Sequence, residues 1–233
     1  MRLALFDLDD TLLDGDCSAL WNDWMVERDW IVAPGHFLDS AQKMNAAYHA
    51  GRLRLEEYLA LTLSPLAGRH RDEVAKEVEA FVAARVVPRL FAQGHELIAQ
   101  HRQQGDLPLL ISASSRHLVA PVAASLGIQE VIAVEPAFDG QYFTGHTTGV
   151  LSYRSGKVAR IDAWLSEQGV AATHLSFYSD SQNDLPLLNR ADRPVAVNPD
   201  PVLAEVARYE GWERLDWRSP ARHPEMPSPV ASE

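Results

Sequence analysis

Hydrophobic and polar positions divide the chain into segments of two periods. Residues 2–7 (RLALFD) alternate, fill with apolar side chains and end in a carboxylate, as a short strand buried on both faces does. From about residue 18 to 85 the period becomes helical. Trp21, Trp24 and Met25 recur at helix-face spacing, as do Phe37, Ala41, Met44 and Tyr48, then Leu55, Leu59 and Leu63, then Val74, Val78 and Phe81. Pro34, Gly51, Pro65 and Gly68 punctuate this stretch into about four helices. Beyond it, strands and helices take turns. A helix is expected at 88–104, a strand at 107–112, a helix at 116–126, a strand at 130–134 and a hairpin within 141–153. Then come a helix at 156–168, a strand at 174–178, a short helix at 184–189, a strand at 194–197 and a helix at 201–209.

This alternation predicts an α/β fold: a three-layer, Rossmann-like core with a mainly parallel sheet, interrupted by an inserted all-helical cap. The expected division is a core of residues 1–14 and 88–217, a cap of residues 15–87, and a tail of residues 218–233. The tail holds four prolines and little apolar periodicity, and is read as disordered.

Composition narrows the function classes. The formal charge of −11 repels polyphosphate backbones, so nucleic acid is not expected as a partner. A small phosphate ester remains compatible, because a bound cation inverts the local field. The single cysteine, Cys17, excludes an internal disulfide. The early charges of MRLALFDLDD argue against a signal peptide, and no apolar run is long enough for a bilayer. A cytoplasmic location is expected, and a homodimer is compatible with the sequence.

Ligands of open parallel sheets bind at the carboxyl ends of the strands. Those ends carry Asp7-Leu8-Asp9-Asp10-Thr11, Ser112-Ala113-Ser114-Ser115 and Ser179-Asp180-Ser181-Gln182-Asn183-Asp184, and Gly156-Lys157 opens a helix on the same side. Clustered carboxylates repel one another unless a cation intervenes, and an oxygen-only ligand set suits Mg²⁺. A carboxylate such as Asp7 can act as nucleophile, and Asp9, two residues on, as acid and base. Ser112 can donate to a phosphate oxygen, and Lys157 supplies a fixed positive charge. An EF-hand reading of DLDDTLLDGD fails, since it lacks the closing Glu and follows a strand.

DLDDTLL, the Ser112 strand, Gly156-Lys157 and SDSQNDLPLL resemble, in order, the four motifs of the haloacid dehalogenase superfamily. The helical insert resembles the C1 cap of its phosphoserine-phosphatase-like branch. The resemblance implies a phosphatase with Asp7 as nucleophile, Asp9 as acid/base and Lys157 beside the phosphoryl group. It implies Mg²⁺ held by Asp7, the Asp9 carbonyl and Asp180, with Asp184 acting through water. Thr11, Ser112, Ala113, Ser114, Asn183 and Lys157 are the expected phosphate-side contacts. An Asp at position 9 favours phosphoester over carbon–halogen chemistry.

The resemblance also places Asp16 where phosphoserine phosphatases hold the substrate amine, although Asp16 can equally cap a helix. The arginine that would grip a substrate carboxylate is missing from helix 55–63 (LEEYLALTL). The expected substrate is therefore a small amine-bearing phosphate without a carboxylate, such as histidinol phosphate, with Arg154 within reach of the site. Phosphoserine hydrolysis, phosphoryl transfer to an alcohol, and a non-catalytic phospho-ligand sensor are the alternatives.

Overall fold

The computed structural model describes residues 1–218. Seven strands form one sheet in the order β4-β3-β2-β1-β5-β6-β7, with β1 (Arg2–Phe6) at its centre. β1 pairs in parallel with β2 (Leu107–Ser115) on one side and β5 (His174–Ser179) on the other. β6 (Arg193–Val197) and β7 (Glu213–Leu215) continue the parallel run, as does β3 (Glu130–Asp139) beside β2; among the described residues only the pairing of β3 with β4 (Tyr142–Thr148) is antiparallel.

Alternation along β1 explains the layers. Leu3 and Leu5 face a cluster made with Leu109, Ile161, Leu165, Leu187 and Leu203. These come in part from α7 (Ser155–Glu167), α8 (Leu185–Leu188) and α9 (Pro201–Glu210). Ala4 and Phe6 point the other way, towards α5 (Ala92–Gln103) and α6 (Arg116–Ser125) through Ile98, Leu118 and Val122. That second cluster continues into α1 (Cys17–Glu27), α3 (Leu55–Leu63) and α4 (Arg71–Phe81) through Trp21, Leu59, Val74 and Phe81. The helical insert, which also contains α2 (Pro34–His49), thus shares its hydrophobic interior with the sheet.

Local signals account for the element ends. Asp16 accepts from the Ala19 amide at 2.8 Å and caps α1. Asp200 caps α9 with Pro201 at its first turn, and Gly211, at φ +71°, ends it in the left-handed region.

Three expectations are corrected. The third strand runs to Asp139, and the hairpin is β3–β4, turning at Gly140 (φ +58°). Glu135, Pro136 and Asp139 hid the extension, because an edge hairpin needs no unbroken apolar run. The helix after Pro88 starts only at Ala92, because Val87–Arg89 form a 3₁₀ turn and the Phe91 amide donates to Leu12 O. The three-residue β7 was not foreseen, being too short for a period. The expected disordered tail lies outside the described residues except for Arg218, which pairs with Asp10 and, at 3.1 Å, with Asp14.

Candidate active site

The loops after β1 and β5, the last residues of β2 and the first turn of α7 meet at one end of the sheet. Asp7 follows β1, and its amide is held by Tyr178 O at 2.9 Å, which fixes the chain where it leaves the sheet. Lys157 is 1% exposed and donates to Asp7 Oδ1 at 2.8 Å and Asp184 Oδ2 at 2.7 Å. The backbone before it is tightly constrained. A Cβ on Gly156 would lie 2.0 Å from Leu151 O, so only glycine lets the turn close and delivers Lys157 to the carboxylates.

Asp180, at the end of β5, accepts from Thr11 Oγ1 at 3.0 Å. Asp184 also accepts from Ser179 Oγ at 2.7 Å, whereas its Oδ1 is buried with no partner. Asp9 stands on the cavity wall and accepts from the Cys17 amide at 2.6 Å and Ser114 Oγ at 2.8 Å. Ser112 lies behind, its hydroxyl taking the Ser114 amide at 3.0 Å and its carbonyl bonded by Ser152.

Electrostatics follow from burial. Desolvation is the main reason the Asp7 carboxyl is pushed up to about 6, with Lys157 opposing and Asp184 adding to the rise. Burial, then the charges of Asp16 and Asp7, hold Asp9 well above the usual carboxylate range. Asp180 is raised by burial and then by Asp7, Asp10 and Asp184. Burial alone would lower the Lys157 ammonium; Asp184 and Asp7 reverse this and keep it charged.

Asp7, Asp9, Asp16, Ala113, Ser114 and Asp180 line one small cavity together with Asp10, Ser18, Asn45, Tyr48, His49, Leu53, Leu55 and Tyr58. Its free volume of about 40 Å³ has room for roughly three waters. Among the described residues, no Lys or Arg lines it. Arg54, just before α3, pairs instead with Glu57 at 2.8 Å on the surface.

Arg154 and Asn183 lie at the seam between insert and sheet rather than on this cavity wall. Arg154 Nε donates to Asn183 Oδ1 at 3.2 Å and its guanidinium bonds Gly51 O, while Asn183 Nδ2 reaches Tyr48 O at 3.1 Å. Sequence reasoning missed Asn45, His49 and Tyr58, which look like ordinary helix-face positions until α2 and α3 fold over the sheet. Ser179 was visible as a hydroxyl at a strand end.

The sequence profile of the haloacid dehalogenase-like hydrolases matches residues 4–189. The chain belongs to this family. A relative named histidinol-phosphatase, from Neisseria meningitidis serogroup C (strain 8013), is 34% identical over 93% of this chain and 99% of that protein. A phosphoserine phosphatase of Mycobacterium tuberculosis (strain ATCC 25618 / H37Rv) is 27% identical over 92% of this chain and 70% of that protein. A crystal structure of a Bordetella pertussis Tohama I protein of unknown function is 36% identical, with a TM-score of 0.86 over 93% of this chain and 98% of that one. Substrate-bound phosphoserine phosphatase shares the fold, at 18% identity and a TM-score of 0.68 over 92% of each chain. Among the described residues of this haloacid dehalogenase-like hydrolase, no helix is long and apolar enough to cross a membrane.

Proposed function

We propose that this chain is a Mg²⁺-dependent phosphatase that hydrolyses a small, amine-bearing phosphomonoester, histidinol phosphate, through an aspartyl-phosphate on Asp7. The observation that carries the substrate reading is the cavity itself: Asp7, Asp9, Asp10, Asp16 and Asp180 all line it, and among the described residues no arginine or lysine does. A substrate carboxylate would be desolvated there without a partner, whereas an ammonium group finds Asp16. The similarity to a histidinol-phosphatase over nearly the whole of both chains agrees with this reading.

An Asp7 carboxylate oxygen attacks phosphorus as the bond to the ester oxygen breaks. Asp9, raised by burial, gives its proton to that leaving oxygen. A water then attacks phosphorus, Asp9 takes the water's proton, and the bond to Asp7 breaks to release phosphate. Lys157 keeps Asp7 oriented and balances the charge of the phosphoryl group. The Thr11 hydroxyl and the Ser179 hydroxyl hold the Asp180 and Asp184 carboxylates in place.

Among the described residues, no three His, Cys, Asp or Glu side chains converge as a ready-made metal cage. The donor set still fits Mg²⁺, which takes one or two carboxylates and completes its shell with carbonyl, water and phosphate oxygens. The unpartnered Asp184 Oδ1 and the raised Asp7 and Asp180 carboxyls favour a cation there. Asp7, Asp180 and the Asp9 carbonyl would hold it, with Asp184 reached through water. When bound, Mg²⁺ supplies positive charge to the phosphate oxygens.

The test is phosphate release from histidinol phosphate and from phosphoserine, with Mg²⁺ and with chelator. We expect at least about tenfold higher kcat/KM for histidinol phosphate, the margin that one unpaired buried charge readily provides, with loss of both activities in chelator and in Asp7→Asn. Preference for phosphoserine overturns the substrate reading. Substantial turnover by Asp7→Asn overturns the covalent route, and adding an alcohol acceptor separates hydrolysis from phosphoryl transfer.

A further inference from the structure

The cavity beside Asp7 is small, and a second cavity shares part of its wall. This one, of about 250 Å³, lies between α1 and α2 and is lined by Asn22, Asp23, Leu38 and Gln42, among others. Asn45 and Tyr58 line both cavities and form the partition between them. The two helices present continuous rows along this path. Ser18 faces the catalytic cavity and Asn22, one turn on, faces the second, while Gln42, Asn45 and His49 do the same along α2.

Asn22 is the informative residue. It is 2% exposed, yet its Oδ1 has no hydrogen-bond partner among the described residues. A buried amide carbonyl without a donor is costly and rare in folded proteins. The Tyr58 hydroxyl sits beside Ser18 and Asn22, so the polar atoms gather where the two cavities meet. Among the described residues, the only charged one lining the second cavity is Asp23, which is exposed. Asn45 Nδ2 donates to Asp16 Oδ2 at 2.9 Å, so the partition is tied to the carboxylate proposed to hold the amine.

Resting on the amine-phosphate reading above, we propose that the second cavity is a distal specificity subsite. It takes the end of the substrate farthest from phosphorus, a group that donates an N–H and tolerates positive charge, with Asn22 Oδ1 as acceptor and Asp23 at the rim. An imidazole ring has this chemistry. The phosphate lies at Asp7, the ammonium at Asp16, and the ring passes between Asn45 and Tyr58.

Two substrates isolate the subsite. Histidinol phosphate and 2-aminoethyl phosphate share the ester and the neighbouring amine and differ by the imidazolylmethyl branch. The readout is the ratio of their kcat/KM values, alongside a melting temperature. Asn22→Leu removes the acceptor at nearly constant volume; we expect the ratio to fall about 10- to 100-fold without a drop in melting temperature. Asp23→Lys, at an exposed position, should lower the ratio about three- to tenfold, less so at high salt. If Asn22→Leu does not fold, Asp23→Lys decides. An unchanged ratio in a folded Asn22→Leu, with wild type turning over histidinol phosphate, overturns the distal subsite alone. No release from histidinol phosphate by wild type overturns the substrate reading and the subsite together.

Discussion

His117 shows how one residue's surroundings set a measurable property. Its Nδ1 meets Ser115 Oγ at 2.9 Å, its Nε2 is buried without a partner, and Trp21 and Phe143 pack edge-on against the ring. Burial lowers its pKa from 6.5 to about 3. The folded protein therefore keeps this ring neutral, while the unfolded chain protonates it below about 6.5. Its contribution is intact above that pH and is lost as pH falls from about 6.5 towards 3. Stability should decline by at most about 1.4 kcal/mol per pH unit from this group. Denaturant melts at pH 7, 6 and 5 check it: the decline should be shallower in His117→Gln than in wild type. His101 is a contrasting case. Its Nδ1 and Nε2 meet Asp106 and the Tyr178 hydroxyl, each at 2.7 Å, so no ring nitrogen is left without a partner.

Between elements, the C-terminal end of α2 is where the insert grips the sheet. A helix end leaves carbonyls unsatisfied. Here Asn183 Nδ2 takes Tyr48 O at 3.1 Å, Gln182 Nε2 takes His49 O at 2.8 Å, and Arg154 takes Gly51 O. All three donors stand beside the carboxylate cluster, so the end of α2 and the Asp180–Asp184 segment are tied to one another. Each such bond contributes about 0.5–1.5 kcal/mol, a few-fold to roughly tenfold in an open–closed equilibrium. Gln182→Met removes one while keeping its bulk. Hydrogen exchange at the Gly51 and Arg52 amides should quicken by about that factor, and an unchanged rate would show that the seam is held elsewhere. The same seam explains Arg154: at φ +52° it stands in a strained turn before α7, stabilised by its contacts on both sides.

At the scale of the molecule, the fold concentrates like charge where it can least be solvated. Folding raises the Asp7, Asp9 and Asp180 carboxyls above their unfolded values. Groups shifted this way favour the folded state at low pH and oppose it as pH rises through the folded values, about 6 for Asp7. A cation held at the cluster, as proposed, would offset that penalty and would bind only the folded chain. Saturating Mg²⁺ should therefore raise the melting temperature by several degrees at pH 8, about 3 kcal/mol at a hundredfold excess over Kd, and by less at pH 5. Asp180→Asn should remove most of the gain. A shift of equal size at both pH values, or in the variant, would mean that Mg²⁺ acts elsewhere.

Strand ends, helix faces and the four short motifs were legible in the sequence because they are local. Period-2 and helical spacing, the Gly156 turn and the Asp16 cap depend on neighbours within a few residues. So Asp7, Asp9, Lys157, Asp180 and Asp184 could be assigned to one sheet end before any coordinates. What only the tertiary structure decided is everything made by segments far apart in the chain: the partition of Asn45 and Tyr58, the orphaned acceptor of Asn22, and the grip of Arg154, Gln182 and Asn183 on α2. The edge hairpin and β7 belong with these, since a strand's partner stabilises it as much as its own pattern does. Chemistry at the phosphate is written in short motifs. How α1, α2 and α3 come together around the cavities is decided by contacts between distant segments, and no spacing rule encodes that.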